Sequence, residues 1–245
     1  MKQTGMIIGC SSYNNRLWVG PFYPPDLPAK SWFAYYCAHF NTYELNSTFY
    51  NFPTARSLHG WYQKSPDGFL FSVKAPKLST HNKKLVGCER EIAEFYAACR
   101  EGLRDKLGYA LFQFPPSFHY SRERLDLIVT QLRSDIQLVI EFRHESWWNE
   151  EVYRAFIQHN LIFCSVNHPL LPTAIIATAT TGYLRLHGNP TLFYSEYSND
   201  ELKHLYDEIR GTKNLHKMLV YFNNTASEAG IVNALTMKHL AASSD

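Results

Sequence analysis

Six short stretches of this chain run apolar and then end in side chains that can carry charge or direct a hydrogen bond. They are Tyr43-Glu44-Leu45-Asn46, Phe71-Ser72-Val73-Lys74, Leu111-Phe112-Gln113-Phe114, Val139-Ile140-Glu141-Phe142-Arg143, Tyr183-Leu184-Arg185-Leu186-His187 and Val220-Tyr221-Phe222-Asn223. Side chains two apart on a strand share a face, which pairs Glu44 with Asn46, Ser72 with Lys74, Glu141 with Arg143, and Arg185 with His187. The residues between them, Leu45, Val73, Phe142 and Leu186, are apolar and suit the opposite face. Lys74, Glu141, His187 and Glu44 are the residue types that move protons. Arg143 and Arg185 suit a bidentate grip on a phosphate, carboxylate or sulfate, while Asn46, Gln113 and Asn223 add neutral hydrogen bonds.

Each of these has a plainer structural reading. Lys74, in a dry pocket beside other cations, would have a lowered pKa and act as base or Schiff-base nucleophile; an ion pair with Glu44 is the alternative. Glu141 is either a general acid or base, or the holder of Arg143. His187 is the best proton-transfer candidate because imidazole titrates near neutrality, set against a hydrogen-bonded core histidine. Glu44, Glu141 and His187 would suit a divalent metal, giving a hydrolase or isomerase of the xylose-isomerase or endonuclease type. The nearly equal number of cations argues against it, and no bound metal is expected. No G-x-G-x-x-G follows the first apolar run, so a dinucleotide is not expected and no cofactor is assigned. Cys10 has no histidine near it in sequence and reads as a buried thiol.

The elements that must carry these residues alternate along the chain. Eight candidate strands lie near 6–11, 42–47, 69–74, 109–114, 137–142, 162–166, 183–187 and 218–222, with helices near 29–39, 54–64, 89–105, 121–133, 149–158, 199–210 and 226–240. Pro28, Thr54 and Asn199-Asp200 mark helix starts. Pro169, Pro172 and a Thr/Ala-rich run between Asn167 and Gly182 make the sixth crossover short or irregular. Repeated βα units in one domain over 1–245 predict a (β/α)8 TIM barrel, with the polar strand ends ringing its C-terminal mouth. An open doubly wound sheet is the alternative if two strands are misassigned. The loop from Ser11 to Leu27 carries Trp18 and Phe22, either as a lid or as packing. Trp18 and Tyr194, the latter in the loop after the seventh strand, are the aromatic candidates for ligand contact, and Trp147-Trp148 is expected to cover apolar surface beside the fifth strand.

Composition limits the setting. The chain has 245 residues, 45% hydrophobic and 19% charged, which fits one globular domain. A net charge of +2 without a long Lys/Arg run disfavours non-specific nucleic-acid binding. No apolar stretch reaches the roughly 20 residues that span a bilayer, so no membrane partner is expected. The five scattered cysteines suggest neither disulfides nor zinc and point to a reducing cytoplasm.

The stretches Glu44-Leu45-Asn46-Ser47-Thr48-Phe49-Tyr50, Phe71-Ser72-Val73-Lys74-Ala75-Pro76 with His81, Phe112-Gln113-Phe114-Pro115-Pro116, Glu141-Phe142-Arg143-His144, Tyr183-Leu184-Arg185-Leu186-His187-Gly188 and Tyr221-Phe222-Asn223-Asn224 resemble, in order and over nearly the whole chain, the YecE-like family, domain of unknown function 72. The resemblance implies a single cytoplasmic, prokaryotic TIM-barrel domain and no established reaction. Asn167-His168-Pro169 stands where that family often has an acidic residue before a proline. The leading expectation is an enzyme that acts on a small anionic metabolite by acid–base chemistry; a non-catalytic ligand- or partner-binding barrel is a further alternative.

Overall fold

The computed structural model describes residues 4–243. Its eight strands are β1 (Gly5–Cys10), β2 (Thr42–Leu45), β3 (Leu70–Lys74), β4 (Leu107–Gln113), β5 (Gln137–Glu141), β6 (Ile162–Asn167), β7 (Thr181–Leu186) and β8 (Lys217–Phe222). They follow the hydrogen-bonded order β1-β8-β7-β6-β5-β4-β3-β2. With the alternating helices this is a (β/α)8 TIM barrel. Every strand lies within two residues of its expected place at either end. The strands are buried on both faces, as parallel strands are, which is why they read as near-continuous apolar runs.

The helices are α1 (Trp32–His39), α2 (Ser47–Tyr50), α3 (Ala55–Lys64), α4 (Glu89–Leu103), α5 (Arg122–Gln131), α6 (Glu150–Gln158), α7 (Asn199–Gly211) and α8 (Ala229–Ala242). The helix expected from residue 29 begins as a 3-10 turn, Ala29–Ser31, behind Pro28. Thr54 caps α3 and forms a capping box with Ser57. The cap of α7 is Ser198 rather than Asn199: its hydroxyl accepts from the Glu201 N–H, and the Glu201 carboxylate returns to the Ser198 N–H. Among the described residues, no helix occupies the crossover from Asn167 to Thr181, which bears out the irregular sixth unit. Among the described residues, no helix is long and apolar enough to cross a membrane.

The chain divides into two compact units, one of residues 1–44 with 165–245 and one of residues 45–164. In the first, β8 pairs with β1 (Gly5↔Lys217 to Cys10↔Phe222) and with β7 (Thr181↔Lys217 to Leu186↔Phe222). Here the 11–27 loop is packed down. Trp18 is buried and its indole N–H donates to the Ser227 carbonyl at 3.0 Å, Asn15 donates to the Thr225 carbonyl, and Tyr23 stacks on Trp32 at 4.9 Å. In the second unit β4 pairs with β3 and β5, and β5 with β6. Trp147 lies flat on Phe142 at 4.0 Å and donates its indole N–H to the Phe118 carbonyl, covering the end of β5. Trp148 meets Phe163 edge-on.

β1 and β2, the two ends of the strand order, meet inside the first unit. A Cβ on Gly9 would stand 2.7 Å from the Thr42 carbonyl oxygen, so only glycine admits this approach. The Tyr36 hydroxyl fills the seam, accepting from the Cys10 N–H at 2.8 Å and donating to the Thr42 carbonyl at 2.9 Å. All of these groups are buried, so Tyr36→Phe leaves a donor and an acceptor dry and should cost about 1–3 kcal/mol in urea denaturation. A loss within experimental error would show that the seam does not need the hydroxyl.

Candidate functional site

In the first unit the polar strand ends form two connected groups. Glu44 on β2 and Arg185 on β7 are 0% and 1% exposed. The Arg185 Nη2 donates to Glu44 Oε1 at 2.7 Å and its Nε to Oε2 at 3.0 Å, a fork-to-fork pair. Tyr183, two residues before Arg185 on the same face, donates its hydroxyl to Glu44 Oε2 at 2.7 Å. Arg185, read from sequence as an anion clamp, is therefore already engaged bidentately by a carboxylate. Glu44 likewise has both oxygens occupied by its own unit.

The second group is a relay. Ser11 donates its hydroxyl to the Asn223 Oδ1 at 2.5 Å, and the Asn223 Nδ2 donates to the His187 Nδ1 at 2.7 Å. With Nδ1 accepting, a neutral His187 carries its proton on Nε2. His187 is fully buried, and its backbone N–H donates to the Asn167 carbonyl. The Asn167 side-chain oxygen accepts from the Tyr197 hydroxyl at 3.0 Å. The Gly188 N–H donates to that same hydroxyl, and the φ of +89° at Gly188, where a Cβ would also sit 2.9 Å from the Thr191 carbonyl, requires glycine directly after the histidine. Cys10 is wholly buried and burial pushes its thiol up, which disfavours the thiolate.

In the second unit Glu141 is fully buried and accepts from the Arg143 Nε at 2.6 Å, which is the holding role named for it above. Gln113 lies across from Glu141 in the β4–β5 register and donates to the Phe114 carbonyl. The Lys74 Nζ sits 4.2 Å from the centre of the Phe49 ring. His81 meets that same ring edge-on at 4.8 Å from a one-turn π-helix, Leu78–Asn82, and its Nδ1 lies 3.0 Å from the Thr80 hydroxyl. Burial, then the charges of Lys74, Lys77 and Arg143, push the His81 pKa from 6.5 down to about 4; Glu141 opposes them weakly. Asn46 departs from the expected parity: β2 ends at Leu45, and Asn46 turns into the helical region ahead of α2.

His81, Tyr183, Ser11 and Phe49 were not singled out as site residues. Parity would have found Tyr183, two before Arg185; His81 lies in a loop, where parity carries no information. Trp18 is buried in its own loop and has no surface to offer a ligand, whereas Tyr194 is 61% exposed. Among the described residues, no three His, Cys, Asp or Glu side chains gather as a metal site requires.

The fold and these strand ends define a TIM-barrel protein with an ionisable carboxyl-end face. The chain belongs to the DUF72 family: the family model, described as "Protein of unknown function DUF72", matches residues 7–245. It is 30% identical over 139 residues to the UPF0759 protein YunF of Bacillus subtilis, covering 54% of this chain and 49% of that one. It is 25% identical over 146 residues to the UPF0759 protein YecE of Escherichia coli K12, covering 59% and 53%. The chain thus spans about half the length of the curated relatives it matches. The crystal structure of a DUF72 family protein from Thermotoga maritima superposes with a TM-score of 0.86 at 29% identity, covering 96% of this chain and 98% of that one. One from Enterococcus faecalis, 17% identical, shares the fold with a TM-score of 0.83, covering 97% and 95%.

Two outcomes follow. Arg185→Met strands a buried carboxylate and should cost about 3–5 kcal/mol, with much of it regained in the Glu44→Gln/Arg185→Met double variant; a double variant no more stable than the single would contradict the pairing. For His81, the unfolded chain takes up a proton below pH 6.5 that the native site refuses down to about pH 4. Stability therefore falls as pH drops through that window, and His81→Gln should flatten the fall when denaturation curves are compared from pH 7 to 4.

Proposed function

We propose that the protein is an enzyme that binds a small phosphate- or carboxylate-bearing metabolite at the carboxyl ends of its strands and transfers a proton on it. The observation that carries this reading is the surroundings of His81. Lys74, Lys77 and Arg143 bear on it against one carboxylate, Glu141, which already accepts from Arg143. These cations favour an anionic substrate, and an anion bound among them would offset their charge and raise the His81 pKa back toward neutrality, where imidazole is an effective base.

Lys74 and Arg143 hold the anion, His81 accepts the proton, and Glu141 aims Arg143. Gln113 and Asn46 supply neutral hydrogen bonds to the ligand. In the other unit Asn223 and Ser11 set the tautomer of His187, a proton-transfer candidate within that unit alone. Glu44 and Arg185 act there as a fixed, self-neutralised support and not as an anion clamp. The scattered cysteines support placing the protein in the cytoplasm.

Thermal and urea denaturation with inorganic phosphate tests the anion. A ligand at a hundred times its Kd stabilises the native state by about 2.7 kcal/mol, and Lys74→Gln should lose most of that gain while His187→Asn keeps it. No stabilisation of the wild type by phosphate, sulfate or acetate, or a full gain in Lys74→Gln, would overturn the reading.

A further inference from the structure

A second cationic cavity lies in the first unit, at the amino end of β1 and away from the strand ends. It encloses about 420 Å3 between the C-terminal end of α1, the start of β1 and the facing sides of α7 and α8, a volume suited to a small organic molecule. Among the described residues no Asp or Glu lines it, while Arg210 of α7 and Lys238 of α8 both do. Their bonds are to neutral oxygens: Arg210 Nη1 donates to the Tyr206 hydroxyl at 2.7 Å, and Lys238 Nζ donates to the His39 carbonyl at the end of α1. Among the described residues, neither forms an ion pair. Arg210 keeps donors on Nε and Nη2, and Lys238 keeps two N–H groups. The wall beside them is apolar, with Ile8, Phe40 and Ala241.

We infer that this cavity is a binding site for a small organic anion, its carboxylate or phosphate held between Arg210 and Lys238 and its apolar body against Ile8 and Phe40. Two cations on adjacent helices, without a carboxylate to neutralise them, leave a positive potential in a part-enclosed space, and a guanidinium beside an ammonium matches an oxyanion's geometry. Chemistry in TIM barrels is carried at the opposite, carboxyl end of the strands, while the amino end serves stability. The site is therefore one for a ligand that is bound and not turned over. It does not depend on the function proposed above, since none of the residues assigned to that function lines it.

Calorimetric titration of the full chain with phenyl phosphate tests it. In the full chain carrying Lys74→Gln, which weakens the anion site proposed above, phenyl phosphate should bind with a single-site isotherm, and adding Arg210→Gln or Lys238→Gln should weaken that binding at least tenfold while keeping the urea midpoint of Lys74→Gln. Inorganic phosphate should bind more weakly than phenyl phosphate, because it leaves the apolar wall uncovered. The inference is overturned by no binding in Lys74→Gln, by unchanged affinity when Arg210 or Lys238 is also replaced, or by equal affinity for inorganic phosphate.

Discussion

Removing Glu44 and Arg185 from water carries a penalty of several kcal/mol per ion, and only close geometry repays it. The fork-to-fork pairing and the added Tyr183 hydroxyl supply that geometry. The pair therefore fixes β2 against β7 within the first unit with a precision that apolar packing alone would not impose. Because Tyr183, Arg185 and His187 share one face, holding Arg185 also sets the direction in which His187 leaves the end of β7. The relay to Asn223 and Ser11 then completes the orientation from β8 and β1.

The two units use the same residue types to opposite electrical effect. In the first, the buried Arg185 guanidinium is matched by the Glu44 carboxylate, so that pair is balanced before any ligand arrives. In the second, one carboxylate faces three cations around His81. The same arithmetic over the whole set of strand ends gave a nearly balanced pocket, because it averaged over two environments that are not alike.

The barrel was legible from sequence because its strands are buried on both sides and α3, α4, α6 and α7 are amphipathic, so the period changes sharply where these meet the strands. The crossover after β6 was legible for the opposite reason, its prolines and missing polar face. Parity placed Arg185 with His187 and Glu141 with Arg143, as two-residue periodicity demands of residues on or just past a strand. It failed at Asn46, where β2 stops one residue short and the backbone turns. Partner choice was legible at Glu141, whose two-residue spacing offers Arg143, and not at Glu44, which was read beside Lys74 but holds Arg185. His81 was not legible, since its place depends on a π-turn that no period signals. Trp18 was ambiguous because an aromatic in a loop has the same composition whether it covers a ligand or its own chain.

The pairing of β1 with β8 places the first strand's partner at the far end of the chain. At a ribosomal rate of ~5–20 residues per second, β1 waits on the order of 10 to 40 seconds before β8 emerges. Residues 45–164 form their unit from one uninterrupted stretch, whereas the other unit joins residues 1–44 to residues 165–245. During synthesis the continuous unit is complete while β1 still presents a bare edge. Gly9, at that edge, lowers the strand's propensity to pair with a stranger during the wait.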